Sequence, residues 1–266
     1  MKNKTVYLKN YQPPNYAVEV ISLQIDLFED HALITNEMIL QRQHPGPLQL
    51  NGDSLELVSV SLNGQKLEPE AYRLLDGDLW LDDCPAALTV QVVTRILPQE
   101  NTQLSGLYRS KGLFCTQCES EGFRRITFFP DRPDVLSIYT TRISADKEKY
   151  PVLLSNGNLV AKGEGEQERH WVVWEDPFKK PSYLFALVAG RLTCVSDQFV
   201  TGSGRTIDLH IYVEPGQEDK CAHAMTSLKK SMRWDEQEYG REYDLDIFMI
   251  VAVSDFNMGA MENKGL

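Results

Sequence analysis

The chain has 266 residues, 42% of them hydrophobic, enough for one large or two ordinary domains around a sizeable buried core. Its 27 Lys and Arg against 38 Asp and Glu give a formal charge of -11, a surface that repels phosphate backbones and argues against a nucleic-acid partner. No stretch is apolar for long enough to cross a bilayer, and the opening residues lack the apolar core of a secretory leader. The expectation is a cytoplasmic protein with no membrane partner.

The first two-thirds read as β-rich. Ile21, Leu23, Ile25 and Leu27 alternate with Ser22, Gln24 and Asp26, the period of a half-buried strand. Leu55 to Leu62 behaves similarly and runs into Asn63-Gly64. Asp76-Gly77 and Asn156-Gly157 predict two further hairpin turns. Ala87 to Leu97 and Trp171 to Trp174 are β-branched or aromatic runs, and breaks such as His44-Pro-Gly-Pro47 separate the strands. Cys115-x-x-Cys118 is followed by residues 121–129, which predict a turn and then a strand. A redox pair needs a helix there and a zinc knuckle needs two more ligands nearby, so the five cysteines are expected to be free thiols.

The character changes near residue 190. Tyr183 to Gly190 is a continuous apolar run, as expected for a strand buried on both sides, and Thr206 to Val213 predicts another strand. Cys221, Met225, Leu228 and Met232 then fall at helical spacing on one face, with Gly240 placed to end the helix. Asp246 to Val253 reads as a further buried strand. The pattern predicts a mainly β domain over 1–190, built as a saddle-like sheet or sandwich, and over 191–266 the start of an α+β domain.

Near the carboxyl end, Asn257-Met-Gly-Ala-Met-Glu-Asn263 reads, from its residues alone, either as a plain loop with a solvated Glu or as a strand edge. In the second case Gly259 and Ala260 leave the backbone open to an extended peptide. Glu262 would then attract an ammonium group through a charge-assisted hydrogen bond.

Gly259-Ala260-Met261-Glu262-Asn263 is identical to the G-A-M-E-N signature of the gluzincin zinc aminopeptidases, and Gln117-Cys118-Glu119 with Arg124 resembles the Q-C-E-x-x-x-x-R stretch of the bacterial aminopeptidase N family. Phe128–Val135, Leu154–Gly157, Tyr183–Gly190 and Met225–Met232 resemble the same family, so the similarity covers nearly the whole chain. The resemblance implies that the segment 259–263 is an edge strand binding the substrate main chain. It also implies that Glu262, joined by Glu119, holds the free α-amino group, and that Met258 and Gln117 line the pocket for the first side chain. The second domain would be the beginning of a thermolysin-like catalytic domain, and the whole enzyme a monomeric, broad-specificity exopeptidase acting on peptides with a free N-terminus.

That family uses zinc held by H-E-x-x-H and a later Glu. No H-E-x-x-H occurs here. His31, His44, His170, His210 and His223 are isolated from one another, with none at i+4 to another. The expectation is therefore an N-terminal portion that carries amine recognition, binds no metal itself, and is inactive alone, its zinc motif and oxyanion Tyr lying beyond Leu266. The competing expectations are a non-catalytic peptide-binding or scaffold module on the same β domain, and a related zinc hydrolase acting on another substrate such as an epoxide.

Overall fold

The computed structural model describes residues 7–266; residues 1–6, most of the opening stretch read above as lacking an apolar leader, lie outside the described residues. In chain order the strands begin with β1 (Tyr16–Leu27), β2 (Ala32–Arg42), β3 (Leu48–Leu50), β4 (Glu56–Leu62), β5 (Gln65–Lys66) and β6 (Arg73–Leu75). They continue with β7 (Asp78–Leu81), β8 (Ala87–Ile96), β9 (Gly106–Ser110), β10 (Leu113–Gln117), β11 (Leu136–Asp146) and β12 (Val152–Ser155). Next come β13 (Asn158–Glu164), β14 (Arg169–Pro181), β15 (Leu187–Gly190), β16 (Thr193–Val200) and β17 (Thr206–Val213). Helix α1 (Cys221–Tyr239) and β18 (Ile247–Val251) complete the order. Strand accounts for 48% of the residues against 14% helix, so the mainly β expectation holds.

An eight-stranded sheet in the order β13-β14-β11-β1-β2-β8-β4-β5 forms the body. Its centre is set by the alternation in β1: Ile21, Leu23, Ile25 and Leu27 are buried while Ser22 and Gln24 are exposed. Within this sheet β1 and β11 pair in parallel and the other pairs are antiparallel. Two smaller sheets, β3-β7-β6 and β12-β15-β10-β9, share its apolar cluster. Asn63 (φ 52°) and Gly64 (φ 81°) close the β4–β5 hairpin with both residues left-handed, the geometry for which Asn-Gly is selected. Asp76 and Gly77 do the same between β6 and β7.

The fourth sheet, β16-β17-β18, carries α1 as the crossover between its parallel pair β17 and β18. Cys221, Met225, Leu228 and Met232 are the four buried residues of α1, as their spacing predicts. They pack on Phe199, Ile207, Leu209 and Ile211 in a second apolar cluster. Gly240 ends the helix at φ 62°, its N–H bonding the Glu236 carbonyl. Met249 of β18 belongs to the main cluster and Tyr212, Ile247 and Val251 pack against it, so this sheet is fastened to the β body. No helix among the described residues is long and apolar enough to cross a membrane.

Four local expectations need correction. The buried strand expected over Asp246 to Val253 spans only Ile247–Val251, and of its five residues only Met249 is buried. Asn156-Gly157 is not a hairpin turn, because it carries the chain from β12 in the four-stranded sheet to β13 in the eight-stranded one. A side chain on Gly157 would place Cβ 2.1 Å from the Glu175 carbonyl oxygen, so here Gly serves a close backbone approach. The strand expected before Phe129 is a single 3-10 turn at Phe123–Arg125, followed by one bridge from Phe129 to Asn51. Its cause is buried Asp131, which accepts from both the backbone N–H (3.1 Å) and Nε (3.0 Å) of Arg124 and folds the segment back on itself. The apolar run from Tyr183 begins as a 3-10 turn at Ser182–Leu184, and only its last four residues form a strand, all buried.

Candidate functional site

The hairpin β9–β10 turns at Lys111 (φ 46°) and Gly112 (φ 85°). Strand β10 lies between β9 and β15, and Phe114, Cys115, Thr116 and Gln117 are all buried, so both of its faces are covered. Gln117, 1% exposed, ends the strand with Nε2 2.6 Å from Met258 Sδ, while its Oε1 is buried without a partner. The chain then turns, the Gly122 N–H bonding the Cys118 carbonyl at 2.8 Å. Glu119 sits half-buried in that turn, and the Glu119–Ser120 peptide is cis. Glu121 is engaged elsewhere, 3.2 Å from the Arg124 guanidinium.

The terminal segment approaches this hairpin from the other sheet. After Ala252, whose N–H bonds the Tyr212 carbonyl, residues 253–263 make no backbone–backbone hydrogen bond among the described residues. The edge strand expected at 259–263 is therefore not formed, since no neighbouring strand offers it a ladder. Met258, Gly259, Ala260 and Glu262 are exposed; Met261 and Asn263 are half-buried, with Asn263 Oδ1 buried and unpartnered. The space a Cβ on Gly259 would take is empty to 4 Å.

The fold thus joins Gln117 to Met258 across 141 positions of sequence. It shows no bond between Glu119 and Glu262, and neither carboxylate has a hydrogen-bond or ion-pair partner among the described residues. Such carboxylates can accept a cationic donor without first giving up a protein partner. Thiol chemistry has no support here: burial pushes Cys115 up to about 11 and Cys118 well above the ordinary thiol range, so neither is a thiolate near neutrality. Among the described residues, no three His, Cys, Asp or Glu are grouped to hold a metal ion. Several histidines make local contacts, such as His170 Nε2 to the Tyr150 carbonyl at 2.8 Å and His210 Nδ1 to the Tyr212 hydroxyl at 3.3 Å.

Sequence reasoning missed Tyr108, Ser110 and Asp255, which bear on this segment. Tyr108 and Ser110 reach Asp255, and Asn257 reaches the Leu104 carbonyl. Their one sequence signal is two hydroxyls at i and i+2, one face of a strand, a pattern too common to single out.

The residues 21–184 match the model of the Peptidase M1 N-terminal domain, and 223–266 match that of the Peptidase family M1 domain. The chain belongs to peptidase family M1. It is 51% identical to the aminopeptidase N of Escherichia coli over 262 residues, which cover 98% of this chain and 30% of that protein. It is 50% identical to the aminopeptidase N of Haemophilus influenzae over 272 residues, or 31% of that protein. The fold matches a crystal structure of Legionella pneumophila aminopeptidase A in complex with aspartic acid at a TM-score of 0.93 and 38% identity, covering 97% of this chain and 31% of that one. The chain thus spans under a third of the length of these relatives.

Proposed function

We propose that this chain supplies the amine-recognition half of the active site of a zinc aminopeptidase that releases N-terminal amino acids from peptides with broad specificity. The observation that carries the reading is the Gln117–Met258 contact, which brings the Gln117-Cys118-Glu119 stretch against the segment that continues into Gly259-Ala-Met-Glu-Asn263. Two carboxylates without protein partners, Glu119 and Glu262, belong to these segments. On this reading they receive the free ammonium of the substrate, while the open backbone at Gly259, Ala260 and Met261 takes its main chain and Asn263 closes the segment. Met258, a flexible thioether, and Gln117 bound the pocket for the first side chain. A blocked, uncharged N-terminus leaves both anions without their cation and is rejected.

The described residues do not fit the zinc ion that this family reading implies, since they group no three ligands. The role assigned to this chain is to bind and orient, and the 266 residues alone are expected to be catalytically inactive. The β domain over 1–190 and the start of the catalytic domain over 191–266 then contribute one acid each. The whole enzyme is read as a monomer of the cytoplasm.

The test is Glu262→Gln and, separately, Glu119→Gln in the whole enzyme, with kcat/KM measured on an aminoacyl anilide. Each change removes a charge-assisted hydrogen bond of about 1.5–3 kcal/mol, an expected loss of roughly ten- to more than a hundredfold. Unaltered kcat/KM in E262Q, or equal turnover of an N-acetylated peptide, refutes the reading.

A further inference from the structure

We propose that Tyr108 and Ser110 are positioning residues for the substrate-binding segment 253–263, a role that rests on the amine-recognition reading of Glu262. The segment has no ladder of its own: among the described residues its backbone groups form no backbone–backbone hydrogen bond. Behind it, the chain is pinned by the Gly265 carbonyl accepting from the Met249 N–H (3.1 Å) and the Lys264 carbonyl accepting from Asn156 Nδ2 (2.9 Å). In front, side chains make the pins: Ser254 Oγ donates to Glu214 Oε1, and the others lie on or beside the β9–β10 hairpin. The Tyr108 hydroxyl donates to the Asp255 carbonyl at 3.0 Å, and Ser110 Oγ donates to Asp255 Oδ2 at 2.5 Å. Asn257 Nδ2 donates to the Leu104 carbonyl at 2.9 Å.

Tyr108 and Ser110 stand two apart on β9, so their side chains leave the same face of the strand and grip one residue at two points. Tyr108 is fully buried and Ser110 nearly so, which gives both hydroxyls a rigid base. Asp255 is exposed apart from this grip and lies seven positions before Glu262. A two-point hold on Asp255 fixes both the translation and the twist of the chain as it enters 256–263. The bond to its carbonyl sets the backbone, and the charge-assisted bond to its carboxylate sets the side chain. The hairpin so replaces the missing neighbour strand: β9 holds Asp255 through Tyr108 and Ser110, Gln117 of β10 meets Met258, and the placement of Glu262 follows from both. Neither hydroxyl touches substrate; both act through Asp255.

The experiment compares Ser110→Ala, Ser110→Thr and Tyr108→Phe in the whole enzyme labelled with 13C-methyl methionine. The mobility of the Met258 and Met261 methyl groups is followed by NMR, and kcat and KM are measured on an aminoacyl anilide. S110A and Y108F are expected to lower the order parameters of Met258 and Met261 about twofold, with buried Met38 of β2 unchanged. KM rises about tenfold and kcat stays within about twofold. S110T, which keeps the hydroxyl, restores both. Unchanged Met258 and Met261 signals in both S110A and Y108F overturn the proposal, as does greater mobility with unaltered KM. The methyl signals do not depend on what Glu262 binds. An E262Q enzyme of normal kcat/KM beside an S110A enzyme of mobile Met258 and raised KM therefore defeats the amine reading and leaves the hold on Asp255 standing.

Discussion

Replacing Lys180 with Met removes a buried ammonium from the β body, together with the cost of its desolvation. Lys180 is 2% exposed and Asp176 0%, both on β14, with Nζ and Oδ2 3.2 Å apart but off the line of a hydrogen bond. The ammonium also stands 3.7 Å above the Tyr139 ring. Burial outweighs the neighbouring anion and drags the amine down from 10.5 to about 8. K180M keeps the stem and removes the charge. It leaves Asp176 with Oδ1 held by the Phe178 N–H at 3.2 Å and Oδ2 orphaned. Two terms oppose: breaking one side of a buried pair costs about 3–5 kcal/mol, while losing an ammonium that its site disfavours returns about 3 kcal/mol, so K180M is expected to lose about 0–2 kcal/mol at pH 7. The double change K180M with Asp176→Leu removes both charges and is expected to recover most of that loss. The pH dependence carries a sign. The folded pKa lies below the unfolded one, so between about pH 8 and 10.5 the unfolded chain binds more protons, and this group makes stability rise with pH. At about 1.4 kcal/mol per unit the rise approaches 3 kcal/mol. Buried Cys118 and Tyr139, both pushed up by burial, act in the opposite sense at high pH. The quantity to measure is therefore the difference between parent and K180M in urea unfolding at pH 7, 8.5 and 10. A difference that does not widen with pH refutes the reasoning.

Gly157→Ala puts a methyl 2.1 Å from the Glu175 carbonyl oxygen and at a φ of 95°, so the sheets must part where the chain crosses between them. A loss of more than about 3 kcal/mol is expected from the urea midpoint, against about 1 kcal/mol for an unhindered left-handed glycine. Leu228→Ala removes one of four side chains that seat α1 on its sheet and is expected to cost about 2–5 kcal/mol, read as faster amide exchange along 221–239.

Much of this fold could be read from periodicity because one face of each long strand is buried. Ser22 and Gln24 betray β1 by standing where an apolar residue would be wasted, and Met225, Leu228 and Met232 do the same for α1. Legibility failed where a local signal has two physical uses. Asn-Gly serves a two-residue hairpin at Asn63-Gly64 and a crossing between sheets at Asn156-Gly157, and only the position of Glu175 tells them apart. It failed again where a distant side chain overrides local preference. The aromatic run at Phe128-Phe129 has strand propensity, but Asp131 claims the backbone of Arg124 first. Of the candidate site, the motif residues were legible and their support was not. Nothing within residues 104–110 hints that Asp255 is their partner, since that partner is 145 positions from Ser110.

The cost of burying polar atoms without partners supplies a last constraint on the site. An unpaired buried acceptor costs about 1–3 kcal/mol, and stable folds keep few of them. Among the described residues two such atoms fall within the two motif segments: Gln117 Oε1 in one and Asn263 Oδ1 in the other. Packing offers no reason for either. An apolar side chain at the end of β10 would satisfy its buried surroundings better than an amide with a free oxygen, and the same holds for a half-buried residue at 263. On the amine-recognition reading both oxygens are acceptors held ready for donors on an incoming peptide. The free energy that they withhold from folding is returned on binding. Gln117→Leu should then stabilise the fold while weakening peptide binding, a pair of opposite signs that a purely structural glutamine does not produce. Thermal unfolding of the chain and KM of the whole enzyme measure the two halves. A Q117L protein that loses stability and keeps its KM removes Gln117 from the site.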